Sequence, residues 1–334
     1  MRFMLLAATA ALVGVTTSAN AATITGAGSS FAAPLYEVWG AAAKSAAGVD
    51  VNYQSVGSSA GQNQVLAGTV DFGASDNPMP PAKRSAGHIF QFPTAMGGIV
   101  PIVNLPGVGT NQLHLTGEVL AKIFMGEITA WNDPAIATLN PGVKLPEAPI
   151  ATVHRADGSG TTFVFTSYLS KVYPAWHEQV GASSSVSWPG GAGAKGNDGV
   201  AASVRNTVGG IGYVEYAYAS NNHLAAVELK NHAGAFVAAG GSSFAAAAKA
   251  ADWTKSGDLS VDLLDMDGAG AWPILSATYA LVPVAASSHD QAKAVRAFFD
   301  WSLTNGDQMA QKLDYVVLPD TVKAAVRKAW DAAR

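Results

Sequence analysis

Ala148-Pro149-Ile150-Ala151-Thr152-Val153-His154-Arg155-Ala156-Asp157-Gly158-Ser159-Gly160-Thr161-Thr162-Phe163-Val164-Phe165 is a short apolar run, a polar turn and a second apolar run. That order reads as strand, tight turn and helix start. Two glycines let the backbone turn sharply and approach a ligand closely. Ser159, Thr161 and Thr162 place hydroxyls beside the N–H groups that a helix leaves unpaired in its first turn. Arg155 adds a permanent charge with a forked set of donors. Two readings are open at this point: a capped helix with a local Arg155–Asp157 ion pair, or an anion site at a helix N-terminus.

The same unit recurs upstream. Thr23-Ile24-Thr25 reads as a strand and Gly26-Ala27-Gly28-Ser29-Ser30-Phe31 as a turn. Pro34 then opens a helix in which Leu35, Val38 and Trp39 recur at helical spacing. Residues 49–56 alternate as a strand, Gly57-Ser58-Ser59-Ala60-Gly61 turns, and residues 64–67 continue as helix. Residues 69–76 form a further short strand ending on the Asp76 carboxylate. Strands alternating with helices predict a parallel α/β sheet with its ligand at the carboxyl ends of the strands.

A chain of 334 residues suits two domains of roughly 100–200 residues each. The apolar stretch over residues 92–105 predicts a crossing into the second domain, and strands over 272–275 and 278–282 predict the return. Helices are expected over 244–253, 292–301 and 321–332, and residues 188–199 read as a long glycine-rich loop. Hydrophobic residues at 49% and charged residues at 13% describe a packed globule, since about 25% charged is usual.

The opening residues read as a processing signal. Arg2 precedes an apolar run to Val15, and Ala19-Asn20-Ala21 gives a small-x-small cleavage pattern. Residues 1–21 are therefore expected to be removed on export. The run falls short of the roughly 20 apolar residues of a membrane span. The chain has no cysteine, which closes both a lipid anchor and disulfide bridging. Loss of the leader takes Arg2 and no acid, so the net charge moves from −4 to −5. A mildly acidic exported chain is a poor partner for nucleic acid. Any anion site must then be local, built from fixed dipoles and a well-placed arginine.

Competing motifs are weaker. Gly57-Ser58-Ser59-Ala60-Gly61 fits a nucleophile elbow centred on Ser59, with Asp265 or Asp267 and then His289 as paper partners. The G-x-G near residue 26 lacks the third small residue of a dinucleotide fingerprint. The 188–199 loop lacks the ending of a phosphate-binding P-loop. Single scattered histidines and an acidic 262–268 stretch out of calcium-loop register imply no metal.

Several blocks now stand in order: Gly26-Ala27-Gly28-Ser29-Ser30-Phe31, Gly57-Ser58-Ser59, Val70-Asp71-Phe72-Gly73-Ala74-Ser75-Asp76 and Arg155 through Thr162. Gly196-Asn197-Asp198-Gly199, Gly212-Tyr213-Val214-Glu215-Tyr216 and Phe298-Phe299-Asp300-Trp301 complete the set. Together they resemble the periplasmic phosphate-binding proteins of high-affinity phosphate ABC transporters, over essentially the whole chain after the leader.

The resemblance implies a two-lobed, hinged α/β binding protein of type II, each lobe a mostly parallel sheet flanked by helices. Residues 22–96 and 273–334 would form lobe I and residues 97–272 lobe II. The ligand would be inorganic phosphate. Ser30 and Phe31 would donate from the first helix start and Ser58 from the second, with Asp76 the lone acceptor. Arg155, Ser159, Gly160 and Thr161 would come from lobe II, with Asp157 steadying Arg155. No cofactor and no catalysis are implied; the protein would be a periplasmic monomer that delivers its ligand to a membrane permease. Position 30 departs from the family's common threonine, and Ala32 stands where proline is common. Sulfate- or molybdate-type oxyanions remain the alternative ligands, with Asp76 set against them.

Overall fold

The computed structural model describes residues 21–253, 255–284 and 289–333; residues 1–20 of the expected leader lie outside the described residues, as does the His289 side chain. The strands in chain order are β1 (Ala22–Gly28), β2 (Val49–Ser55), β3 (Phe72–Ser75), β4 (Ile89–Asn104), β5 (His114–Leu115), β6 (Ala151–Arg155), β7 (Ala192–Ala194), β8 (Gly210–Glu215), β9 (Ala225–Ala226), β10 (Glu228–Lys230), β11 (Phe236–Val237) and β12 (Leu275–Pro283). Nine of them form one sheet in the order β2-β1-β3-β12-β4-β8-β6-β7, with β9 against β4. The remaining three make a small satellite sheet, β11-β10-β5.

The sheet has two parallel ends and an antiparallel middle. β1 runs parallel to β2 and β3, and β6 runs parallel to β7 and β8. Between them β12 is antiparallel to both β3 and β4, and β4 is antiparallel to β8. β4 joins the halves: residues 89–98 pair with β12 and residues 99–104 pair with β8. The strand is buried on both faces along almost its whole length, which explains why it reads as an unbroken apolar run rather than an alternating one.

Each half has its own aromatic core. Tyr36, Phe72, Phe92, Phe299 and Trp330 interlock on the β1 side, with Phe72–Phe299 centroids 5.2 Å apart and Phe92–Trp330 4.7 Å apart. Phe124, Phe165, Tyr213 and Trp188 do so on the β6 side, with Phe165 stacked on Tyr213 at 4.0 Å. This is the two-lobed, type II α/β binding-protein architecture. Among the described residues no helix is long and apolar enough to cross a membrane.

Several element boundaries differ from expectation. The alanine-rich helix runs only over Gly241–Ala248; from Ala248 to Trp253 no residue is fully buried, and short helices depend on tertiary packing. The glycine-rich 188–199 stretch is not simply a loop: it holds edge strand β7 and opens the helix Gly196–Asn206. The return strand begins at Leu275 rather than Trp272.

Candidate anion-binding site

Three helix starts converge where the two halves of the sheet meet: those of Ala33–Ala46, Ser58–Leu66 and Gly160–Val172. Only the last is capped by its hydroxyl residue, Ser159 Oγ accepting from Thr162 N at 3.0 Å. The helix Ser58–Leu66 starts from Gly57 at φ 93 with no side-chain cap, and that backbone region favours glycine. Ser30 and Ser58 are therefore not spent on capping. Both are buried, as are Phe31, Asp76, Arg155, Ser159 and Thr161.

Asp76 follows directly on β3, and its carboxylate is unevenly satisfied. Oδ1 accepts from Ser29 Oγ at 2.5 Å and from Thr278 Oγ1 at 2.7 Å, while Oδ2 has only a long 3.5 Å contact from Ser58 Oγ. Burial pushes the Asp76 carboxyl up to about 6. The hydrogen bonds from Ser29 and Thr278 and the Arg155 charge hold it from rising further. Thr278 reaches it from β12 beside a bulge in β4, where Thr278 pairs with Ala95 and Tyr279 with Pro93 and Thr94 is left unpaired. Proline cannot donate to the ladder, and Thr94 Oγ1 instead donates to the Thr278 carbonyl at 3.2 Å.

Across the cleft, Arg155 is clamped by Asp157 through Nε to Oδ1 at 2.8 Å and Nη2 to Oδ2 at 2.5 Å. Burial acts to raise the Asp157 carboxyl, but the Arg155 hydrogen bonds and charge outweigh it and hold it below the usual range. Gly196 N also donates to Asp157 Oδ1, at 3.1 Å. Arg155 Nη1 lies 3.4 Å from Thr161 Oγ1. A guanidinium carries five N–H groups, so the Asp157 fork leaves part of the set for a ligand. The first-turn N–H groups of Gly160 and Thr161 add the helix-start dipole.

The halves touch in this structure. Ser59 N donates to Gly158 O at 3.0 Å and Asn77 Nδ2 to Ser184 Oγ at 2.8 Å. A Cβ at Gly160 would lie 2.6 Å from Asp76 Oδ2 and collide with Ser58 Oγ. A cavity of about 910 Å³ opens beside this contact, lined by Phe163, Lys171, Leu263, Ser276 and Tyr279 among others; of the anion-site residues it borders only Asp76.

A model of the PBP superfamily domain matches residues 14–305. A phosphate-binding protein PstS from Pasteurella multocida is 49% identical over 329 residues, covering 98% of this chain and 95% of that protein. The chain belongs to the PstS family. A second PstS member, from Haemophilus influenzae, is 46% identical over 318 residues, 95% of each chain. The solved structure of a high-affinity periplasmic phosphate-binding protein with phosphate bound superposes with a TM-score of 0.74 at 21% identity, covering 92% of this chain and 93% of that one.

In this PstS-family chain the expected site residues Ser30, Phe31, Ser58, Asp76, Arg155, Asp157, Ser159, Gly160 and Thr161 all lie in or against the cleft. The structure adds Ser29, Thr278 and Asn197. Ser29 is the immediate neighbour of Ser30 in the same glycine-serine turn, and Asn197 lies between glycines whose composition favours a loop. Thr278 carries no local signal, because a threonine in a strand is ordinary. Of the triad suggested on sequence, the His289 side chain lies outside the described residues; Asp265 and Asp267 flank His232 at 3.0 and 3.6 Å, while Ser59 packs against Gly158. Among the described residues no group of three or more His, Cys, Asp or Glu could hold a metal ion.

Proposed function

We propose that this protein binds inorganic phosphate between its lobes and, as a periplasmic monomer freed of its leader, delivers it to the permease of an ABC importer. The reading assigns hydroxyl or N–H donation to Ser30, Phe31, Ser58, Ser159, Gly160 and Thr161, charge to Arg155, and acceptance to Asp76. It places the lobe boundaries at 96/97 and 272/273. The change of β4 partner after Gly98 and the start of β12 at Leu275 support that division.

The observation that carries the ligand choice is Asp76 Oδ2, a buried carboxylate oxygen with acceptor capacity to spare, facing a set of donors. A carboxylate beside an anion is repulsive unless the anion brings a proton to share. Phosphate keeps at least one near neutral pH, whereas sulfate keeps none and would leave an unpaired buried charge. Calorimetric titration with phosphate, alone and against excess sulfate, tests this. Tight phosphate binding undisturbed by sulfate is expected; equal competition by sulfate overturns it. A binding role without catalysis predicts no turnover of a chromogenic phosphate ester, and turnover lost in Ser59→Ala would replace it with a hydrolase.

A further inference from the structure

Asn197 lies in the first turn of the helix Gly196–Asn206 and is fully buried. Its Nδ2 donates to Ser30 Oγ at 2.8 Å and to Thr161 Oγ1 at 3.3 Å, so one amide touches hydroxyls on both sides of the cleft. Its backbone N–H lies a further 3.3 Å from Ser30 Oγ. Its Oδ1 accepts from the backbone N–H of Glu215 at 3.0 Å. A backbone N–H can only donate, so the amide oxygen must face Glu215 and the NH₂ must face the two hydroxyls.

A hydroxyl has one proton and two lone pairs. Ser30 Oγ meets the Asn197 Nδ2 and N groups, and Thr161 Oγ1 meets Asn197 Nδ2 and Arg155 Nη1. On both hydroxyls the acceptor side is engaged, and what remains to give is the proton. We propose that Asn197 is a positioning residue that makes Ser30 and Thr161 obligate donors toward the bound anion, without touching the anion itself. The inference rests on the phosphate reading above. It explains how two ambivalent hydroxyls from distant parts of the chain present the same polarity once the cleft closes.

The test is a double-mutant cycle read by phosphate calorimetry. Asn197→Asp keeps the shape and the acceptor for Glu215 N but replaces the donor with a second acceptor, onto which the hydroxyls turn. Ser30→Ala in the wild-type background should weaken phosphate binding on the order of tenfold, as loss of a hydrogen bond to a charged group does. In the Asn197→Asp background the same change should cost less than about twofold, because the hydroxyl no longer serves the anion. Asn197→Ala, run in parallel, should show the same non-additivity and covers the case in which the aspartate variant fails to fold by circular dichroism. Additive losses in either folded variant overturn the inference and leave phosphate binding intact. No phosphate binding by the wild-type protein would instead overturn the reading beneath it.

Discussion

The two faces that meet in the cleft solve opposite problems. The β1–β3–β12 face offers Ser29, Ser30, Ser58 and Thr278 around a single acid, Asp76, with Tyr53 and Tyr315 donating to the backbone carbonyls of Ser29 and Phe31 at 2.7 and 2.5 Å. The β6 face offers a clamped cation and a helix N-terminus, with Tyr213 OH accepting from Arg155 N at 3.3 Å. One face attracts any small anion, and the other accepts only an anion that can donate. Neither is selective and strong alone, so recognition must wait for closure, the usual logic of hinged binding proteins.

The contrast is broken most severely from the cationic side. Arg155→Ala removes charge-assisted bonds worth about 1.5–3 kcal/mol each and strands Asp157. Phosphate affinity should fall by roughly 100-fold with selectivity over sulfate retained, both read by competition calorimetry. Loss of selectivity together with affinity would show that the faces do not divide the work.

The next largest effect concerns the acid. A carboxyl whose folded pKa lies above its unfolded value binds its proton more tightly when folded. The ligand-free protein should therefore lose stability as pH rises from about 4 to about 6. Two pKa units correspond to ~3 kcal/mol. Asp76→Asn should flatten that loss, raising ligand-free stability at pH 7 while relaxing discrimination against sulfate. Denaturant melts in phosphate-free buffer across pH 4–8 would measure it, and an unchanged profile would remove Asp76 as the source.

Smaller effects test the seam between the faces. Gly160→Ala puts a Cβ into Asp76 and Ser58, an overpacking cost of about 1–3 kcal/mol felt only when the cleft is shut. It should weaken binding and enlarge the phosphate-bound radius of gyration by small-angle scattering. Ser59→Ala should be nearly silent, within about 0.5 kcal/mol, in both binding and melting.

Much of this was legible from local pattern. Each strand-turn-helix unit announces itself through glycines and hydroxyls at a helix start, and Asp76 through its place at the end of an apolar strand. What stayed hidden depends on chain crossings. Thr278 meets Asp76 from 202 positions away, through the pairing of β12 beside β3. Asn197 was masked by flanking glycines, whose composition suggests a loop although they open a helix. The serines at the first two helix starts carry the usual composition of caps, yet the chain starts those helices from Ala32 and Gly57 without a side-chain cap; Ser29 accepts from Ala32 N at 3.2 Å, and Ser30 and Ser58 are left for the cleft.

β12 has a consequence for how the chain comes to be folded. It is inserted between β3 and β4, although some 170 residues separate the end of β4 from its start. Until synthesis reaches residue 283, the first half of the sheet has a gap at its centre and two unpaired edges, and long-range pairings of this kind are slow to form. On the proposed route to the periplasm, the sheet cannot be completed until residue 283 has been made.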